Sequence, residues 1–349
     1  MRYYPIDQIK SGMILGQEIH DASGRMLIAK FTELSDENIS YIAFLGVPGL
    51  YIDDQFTKDI EIKEVVRPEV RKSAIQIVQD IFMAAAGGTL PSEEAAIQQN
   101  VKDIVDNVLE NEDVMYNLVE IKTYDDYTYF HSANVAILAG VLGAKAGLGE
   151  EELDDLVTAG FLHDIGKVFI NPEIITAPRA LTEEERIEMM DHPTLGHDFL
   201  MKNYDFPKRV TDAVYEHHEW HNGGGYPRRI KGQEISKLAR ILKIADVYDA
   251  MTSPRTYHEP YLPSDVVEYI MARSGMEFDP ESVQIMANEL SVYPVGVEVE
   301  LSDGRHGIVI ENHRGFVLRP TVKMLEGGEI LNLLEDRAAL NLTITRLLM

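Results

Sequence analysis

Phe161-Leu162-His163-Asp164-Ile165-Gly166-Lys167 is the stretch that decides how this chain is read. An adjacent His and Asp close an apolar run, and Gly and Lys follow at once. An imidazole nitrogen and a carboxylate are both ligands for first-row divalent metals, and a carboxylate has two oxygens with which to serve two ions. The lysine one turn further on can meet an anionic substrate. A lone His-Asp pair is more often a helix end or a hydrogen-bonded pair, so its surroundings carry the argument. Eight of the eleven histidines fall between His131 and His258, several of them on segments with helical periodicity.

The rest of the composition narrows the chemistry. A length of 349 residues allows two or three domains, and 45% hydrophobic with 26% charged residues is ordinary for a soluble globular chain. A net charge of −26 argues against bulk nucleic acid, whose phosphates require a positive face. A small phosphate ligand stays open, because bound cations would invert the local field. The absence of cysteine removes disulfides, zinc knuckles and iron–sulfur clusters. Any metal must then use N and O ligands, which suits Fe, Mn, Co or Mg better than a thiolate zinc site. Residues 1–10 lack a signal-type apolar core, and the most apolar window, Ala133 to Leu148, is too short to cross a membrane and carries Lys145. The expectation is a cytoplasmic protein.

Along the chain, the fold class reads as mainly α, with a helical centre flanked by small β-rich modules. Residues 1–64 form the first module: strands near Ile19-His20 and Met26 to Ala29 make a hairpin, a helix runs from Asp36 to Leu45, and Leu50-Tyr51-Ile52 returns as a strand. Residues 65–122 are lead-in helices, with Pro68 in a first turn and apolar stripes through Ala74, Val78 and Ile81, then Ile97, Val101 and Ile104. These stripes fit either packing within the chain or a homodimer interface. Residues 123–292 are the central domain, in which His131 begins one helix and Glu150 starts the helix that delivers His163-Asp164. A loop spans Asn171 to Pro178, Pro193 forces a boundary after His192, and a helix from Val210 to Trp220 carries His217-His218. A Gly-rich loop follows at Asn222 to Pro227, then a helix from Ile235 to Met251 with Asp246 and Asp249. Residues 293–349 form a second β module, with strands around 296–301, 307–310, 316–319 and 321–324. His20, His306 and His313 in the flanking modules are expected at the surface.

His131, His163, Asp164, His192, His217, His218 and Asp246 come from separate helices and together suffice for two ions with Asp164 between them. Taken singly, each has a bland alternative. His217 and His218 would point about 100° apart on a helix, one into the core and one outward.

The pattern resembles the HD-GYP family of cyclic di-GMP phosphodiesterases, a branch of the HD phosphohydrolase superfamily. The matching pieces are His163-Asp164-Ile165-Gly166-Lys167, the His217-His218-Glu219 run closing on Gly225-Tyr226-Pro227, and Ile244 through Ser253. Together they cover roughly residues 125–290. The resemblance implies an all-helical HD-type bundle and metal ligands at His131, His163, Asp164, His192, His217, His218 and Asp246. It further implies phosphate contacts from Lys167 and Arg255, a substrate-bordering loop at Gly225 and Tyr226, and Asp249 as a carboxylate behind the ligands. Some positions depart from the family. Asn222 replaces an Asp, His258 stands at a commonly basic position, and Tyr127 occupies the place of a Glu that binds a third ion in some members. Two divalent ions, Fe or Mn, are therefore expected, and His197 and His221 are expected to be non-ligands.

The implied reaction is metal-dependent hydrolysis of cyclic di-GMP. A hydroxide between the ions would attack phosphorus, with Asp164 and Lys167 at the reacting centre, to give linear pGpG and, after a second cut, GMP. Two rival readings stay open at this point. One is a cyclic-dinucleotide receptor or adaptor, with a diguanylate cyclase as partner and little turnover. The other is a hydrolase of a different cyclic dinucleotide.

Overall fold

The computed structural model describes residues 1–20, 26–45, 47, 49–58, 60, 62–88, 94–111, 115, 127–253 and 261–348, with the backbone alone at His20 and Tyr127. Arg255 and His258, the turn at 21–25, and the Tyr127 side chain therefore lie outside the description.

The central helices are arranged around one that is apolar on every side. Helices α1 (Asp36–Phe44), α2 (Pro68–Ala86) and α3 (Glu94–Glu110) precede α4 (Tyr127–Lys145). Residues 131–143 of α4 are all buried, the mark of a helix surrounded by partners rather than lying on a surface. Those partners are α5 (Glu150–Leu162), α2, α3 and α10 (Lys237–Thr252). Between α5 and α10 lie α6 (Pro172–Ile175), α7 (Glu183–Met189), α8 (His192–Asn203) and α9 (Lys208–Glu216), and α11 (Pro263–Ala272) and α12 (Pro280–Glu289) complete the helices. The apolar stripes of α2 and α3, Ala74, Val78 and Ile81 with Ile97, Val101 and Ile104, are buried in the same core as α4 and α5.

The flanks are antiparallel β. Strands β1 (Arg2–Pro5) and β4 (Gly49–Ile52) pair, as do β2 (Ile19–His20) and β3 (Met26–Ile28). A separate apolar cluster including Leu15, Ile19, Leu34, Ile42 and Leu50 fills this module. At the other end, β5 (Glu298–Leu301), β6 (His306–Glu311), β7 (Thr321–Met324), β8 (Ile330–Asn332) and β9 (Ile344–Leu348) form one sheet in the order β8-β7-β6-β5-β9. The two ends meet: Tyr3 N donates to Gly296 O at 2.9 Å, Lys323 Nζ to Phe56 O at 2.7 Å, and Arg2 pairs with Glu298.

Several expectations are corrected by local chemistry. The helix bearing His131 starts four residues earlier, at Tyr127. Within the expected loop 171–178, Asn171 accepts from Glu173 N and Pro172 takes the first position, so a short helix forms. His192 opens its helix rather than closing the previous one, because Pro193 falls in a first turn, where its missing N–H costs nothing. Helix α9 stops at Glu216, so His217 and His218 sit in the turn beyond it and not on a helical face. Residues 316–319 are turn rather than strand, with the Arg319 guanidinium donating to the carbonyls of Leu340 and Leu342.

Candidate metal centre

Three helix ends and two helix faces converge on one buried spot. The turn after α5 carries His163 and Asp164, and runs directly into a tight 3-10 turn, Ile165–Phe169. Gly166 lets that turn lie against the start of α8, since a Cβ there would collide with the His192 carbonyl. His192 is thereby set opposite Asp164. The turn after α9 brings in His217 and His218, while α4 and α10 contribute His131 and Asp246 from their sides.

The geometry sorts these groups into two clusters that share Asp164. Asp164 Oδ2 lies 3.7 Å from His131 Nε2 and 3.5 Å from His163 Nε2, and Asp246 Oδ1 lies 3.1 and 3.8 Å from the same two nitrogens. Asp164 Oδ1 turns the other way, 3.4 Å from His192 Nε2, which is itself 3.3 Å from His217 Nε2. His192, His217 and His218 form one group able to hold an ion, and His131, His163 and Asp164 form another.

The far nitrogen of each ring explains why the near one is available. His163 Nδ1 meets Gly160 O at 2.8 Å, His192 Nδ1 meets Met189 O at 2.7 Å, and His217 Nδ1 meets Val214 O at 2.6 Å. His131 Nδ1 meets Asp249 Oδ2 at 2.7 Å. A carbonyl or carboxylate only accepts, so each Nδ1 carries a proton and each Nε2 is the nitrogen that faces the centre, with a free lone pair wherever the ring is neutral. His163 Nε2 is buried without a hydrogen-bond partner. An orphaned lone pair beside two carboxylates is costly unless a cation completes it, so this N/O donor set fits divalent metal.

Charge follows the same division. Burial pulls His131 down, but its hydrogen bonds to Asp246 and Asp249 outweigh that and push it up to about 9. Burial lowers His192 to about 4 and also lowers His163 and His217. For Asp164, burial acts upward, yet the Lys167 ammonium and the surrounding imidazoles hold its carboxyl well below the usual range. Lys167 Nζ donates to Asp164 Oδ2 at 2.6 Å and its side chain is 29% exposed, which puts a cation on the open side of the centre.

The Gly-rich loop closes over the second cluster. Gly225 has no room for a Cβ against the His218 carbonyl, and Tyr226 stacks on the His218 ring with centroids 4.8 Å apart. Asn222 Oδ1 accepts from Gly224 N at 2.8 Å, so the residue standing for an Asp closes the loop's own turn. Glu219 had no assigned role in the sequence. Its Oε1 takes the backbone N–H of Arg228 at 2.6 Å and of Arg229 at 2.9 Å, and Arg229 has a φ of 59°. The carboxylate holds the returning limb of the loop in a left-handed conformation that arginine rarely adopts. Being buried directly after His218, it had only the run of three polar residues as a signal.

The histidines expected to be non-ligands have partners of their own. His197 stacks on Tyr215 and approaches Asp198, His221 faces Asp279, and His306 and His313 contact Glu298 and Thr321. Asp249 stands behind His131 as expected.

A family model described as HD domain matches residues 102–282. A cyclic di-GMP phosphodiesterase of Pseudomonas aeruginosa is 35% identical over 64% of this chain and 54% of its own length. A 3'3'-cGAMP-specific phosphodiesterase of Vibrio cholerae is 30% identical over 59% of this chain and 40% of its own. This chain thus spans about half the length of those relatives, or less. Among solved structures, a protein of Bdellovibrio bacteriovorus described as a HDG"Y"P protein superposes over 81% of this chain and 97% of its own, with a TM-score of 0.51 at 13% identity, a likeness of fold. The HD domain match takes in more than half of the 349 residues and contains both clusters, so the chain belongs to the HD domain family.

Proposed function

We propose that this centre is a metal-dependent phosphodiesterase that hydrolyses cyclic di-GMP to linear pGpG. The observation that carries the reading is Asp164, which offers one oxygen to each of two imidazole clusters while Lys167 stands on the exposed side at 2.6 Å. His131, His163 and Asp246 would hold one divalent ion, His192, His217 and His218 the other, with Asp164 serving both. Fe or Mn suits this thiolate-free set. When bound, such ions activate water and stabilise charge on phosphoryl oxygens.

The chain's own groups supply the remainder. Lys167 has three hydrogens, one of which meets Asp164, so a phosphoryl oxygen can take another. Arg255, for which a phosphate contact is proposed from the sequence alone, would add a bidentate fork. Tyr226, stacked on His218, covers one face of that ring, and Gly225 permits that approach. Water adds to phosphorus, the bond to the 3′ oxygen breaks, and that oxygen takes up a proton. Cleavage of pGpG to GMP repeats the step.

The reading extends to organisation. Residues 123–292 would be the catalytic unit, 65–122 its lead-in helices, and 1–64 and 293–349 flanking modules. The reaction is placed in the cytoplasm, and no described helix is long and apolar enough to cross a membrane. A diguanylate cyclase domain is the natural source of the substrate. A homodimer through residues 65–120 would use outward faces, since the apolar stripes there lie in the core.

The test is hydrolysis of cyclic di-GMP by protein purified without oxygen, with metal content measured on the same sample. Turnover with about two Fe or Mn per chain is expected. Tight dinucleotide binding at full metal loading without product would replace the enzyme with a receptor. Faster cleavage of 3'3'-cGAMP, the substrate named for the Vibrio relative, would change the base specificity.

A further inference from the structure

Three of the ring anchors in the centre are local. His163, His192 and His217 each rest Nδ1 on the carbonyl three residues earlier in their own turn. His131 does not. Its Nδ1 rests on Asp249 of α10, Asp249 Oδ1 accepts from Asn134 Nδ2 at 3.2 Å, and Asn134 Oδ1 accepts from Arg71 Nη1 at 2.9 Å. Arg71 lies in the first turn of α2, outside the matched residues 102–282, where α2 leaves the N-terminal β module. Asn134 and Asp249 are each 1% exposed and His131 3%, so the chain of contacts leads from the half-buried Arg71 into the buried core.

We propose that Arg71 is a positioning residue for the His131 half of the metal centre, so that the docking of α2 sets the affinity of one ion and not the other. The proposal rests on the metal-dependent reading above. The donor directions support it. A guanidinium can only donate, so Asn134 must turn its oxygen to α2 and its amide hydrogens to Asp249. Asp249 is thereby fixed as the acceptor for His131, and Nε2 is the nitrogen left facing Asp164 and Asp246. In a low-dielectric interior, consecutive hydrogen bonds polarise one another, so the arginine's charge strengthens each link. The coupling is reciprocal: what α2 docking adds to the ion's affinity, the ion adds to α2 docking.

Arg67 provides an internal control. It opens α2, and both its backbone N and its Nε contact Asn107 Oδ1 at 3.1 Å, which anchors the same helix to α3. The test is a calorimetric titration of metal-free full-length protein with Mn²⁺, beside hydrogen exchange of α2 with and without Mn²⁺. Removing a direct outer partner of a ligand weakens binding about 10- to 100-fold, and Arg71 is two contacts further out. Arg71→Met is expected to weaken one of two ions about 3- to 10-fold, with the other unchanged. Arg71→Lys keeps a charge and a donor and is expected to fall between. Arg67→Ala is expected to leave both affinities intact. Mn²⁺ should raise the protection of α2 amides in the wild type and fail to do so in Arg71→Met. Equal weakening of both ions, no change in either, or the same selective loss in Arg67→Ala would overturn the proposal. A wild type that takes up no ions would overturn the metal-dependent reading and the proposal with it, whereas two ions unaffected by Arg71 would overturn the proposal alone.

Discussion

The two halves of the centre are built from the same imidazole yet set in different electrostatic surroundings. Around His131 and His163 stand Asp246 and one oxygen of Asp164, with Asp249 behind. Around His192 and His217 there is the other oxygen of Asp164, and the ring anchors are neutral carbonyls. The first half keeps a proton on His131, pushed up to about 9, while the second is neutral, with His192 down at about 4. A cation therefore has to displace a proton from one half and finds the other already vacant of it. The same imidazole can thus serve two sites that differ in proton competition, and the difference comes from Asp246 and Asp249, whose carboxylates both stand on the His131 side.

The largest expected effect comes from the residue both halves share. Asp164→Ala removes an oxygen from each cluster, and cyclic di-GMP turnover should fall at least about 10³-fold. Bound Mn should drop in both classes of site. Loss of one class alone would show that Asp164 belongs to a single half. Next in size is Asp249→Asn, which leaves an acceptor for His131 but removes the charge behind it. One ion should weaken about 10- to 100-fold in a competition titration and the other should hold. If both weaken alike, the halves are not separately supported.

The smallest effect is on the stability of the metal-free protein. His131 sits above its ordinary 6.5, so its contribution is complete below about 6.5 and is lost as pH rises through about 9. His192 sits below it, so its contribution is complete above about 6.5 and is lost as pH falls through about 4. Thermal melts should peak near neutral pH, and saturating Mn²⁺ should remove the alkaline decline, because the ion replaces the proton that would leave. An alkaline decline unchanged by Mn²⁺ would detach His131 from the metal site.

Much of this was legible in residues alone, because ligand chemistry leaves few substitutes. The His163-Asp164 pair, the His217-His218 pair and Asp246 could be gathered from sequence, and Asp249 one turn after Asp246 could be read as a carboxylate behind the ligands. Their arrangement could not. Helix α9 ends at Glu216 and the Gly225-Tyr226 loop packs on His218, so His217 and His218 do not lie on the helical face that a helix from Val210 to Trp220 predicts. The division into clusters depends on which way each oxygen of Asp164 points. Strand β9 joins β5 by pairing Leu301 with Ile344, a partnership across the whole C-terminal module with weak alternation of its own. Arg71 gave no signal, since an arginine in a first helical turn looks like any solvated charge until Asn134 is seen beneath it.

Two unlike sites joined by one carboxylate are tested most directly by a Mn²⁺ titration of the metal-free protein at pH 6, 7 and 8. Two ions per chain are expected, one with an affinity that rises about tenfold per pH unit as His131 yields its proton, the other nearly independent of pH. A single ion, or two with the same pH dependence, would contradict it.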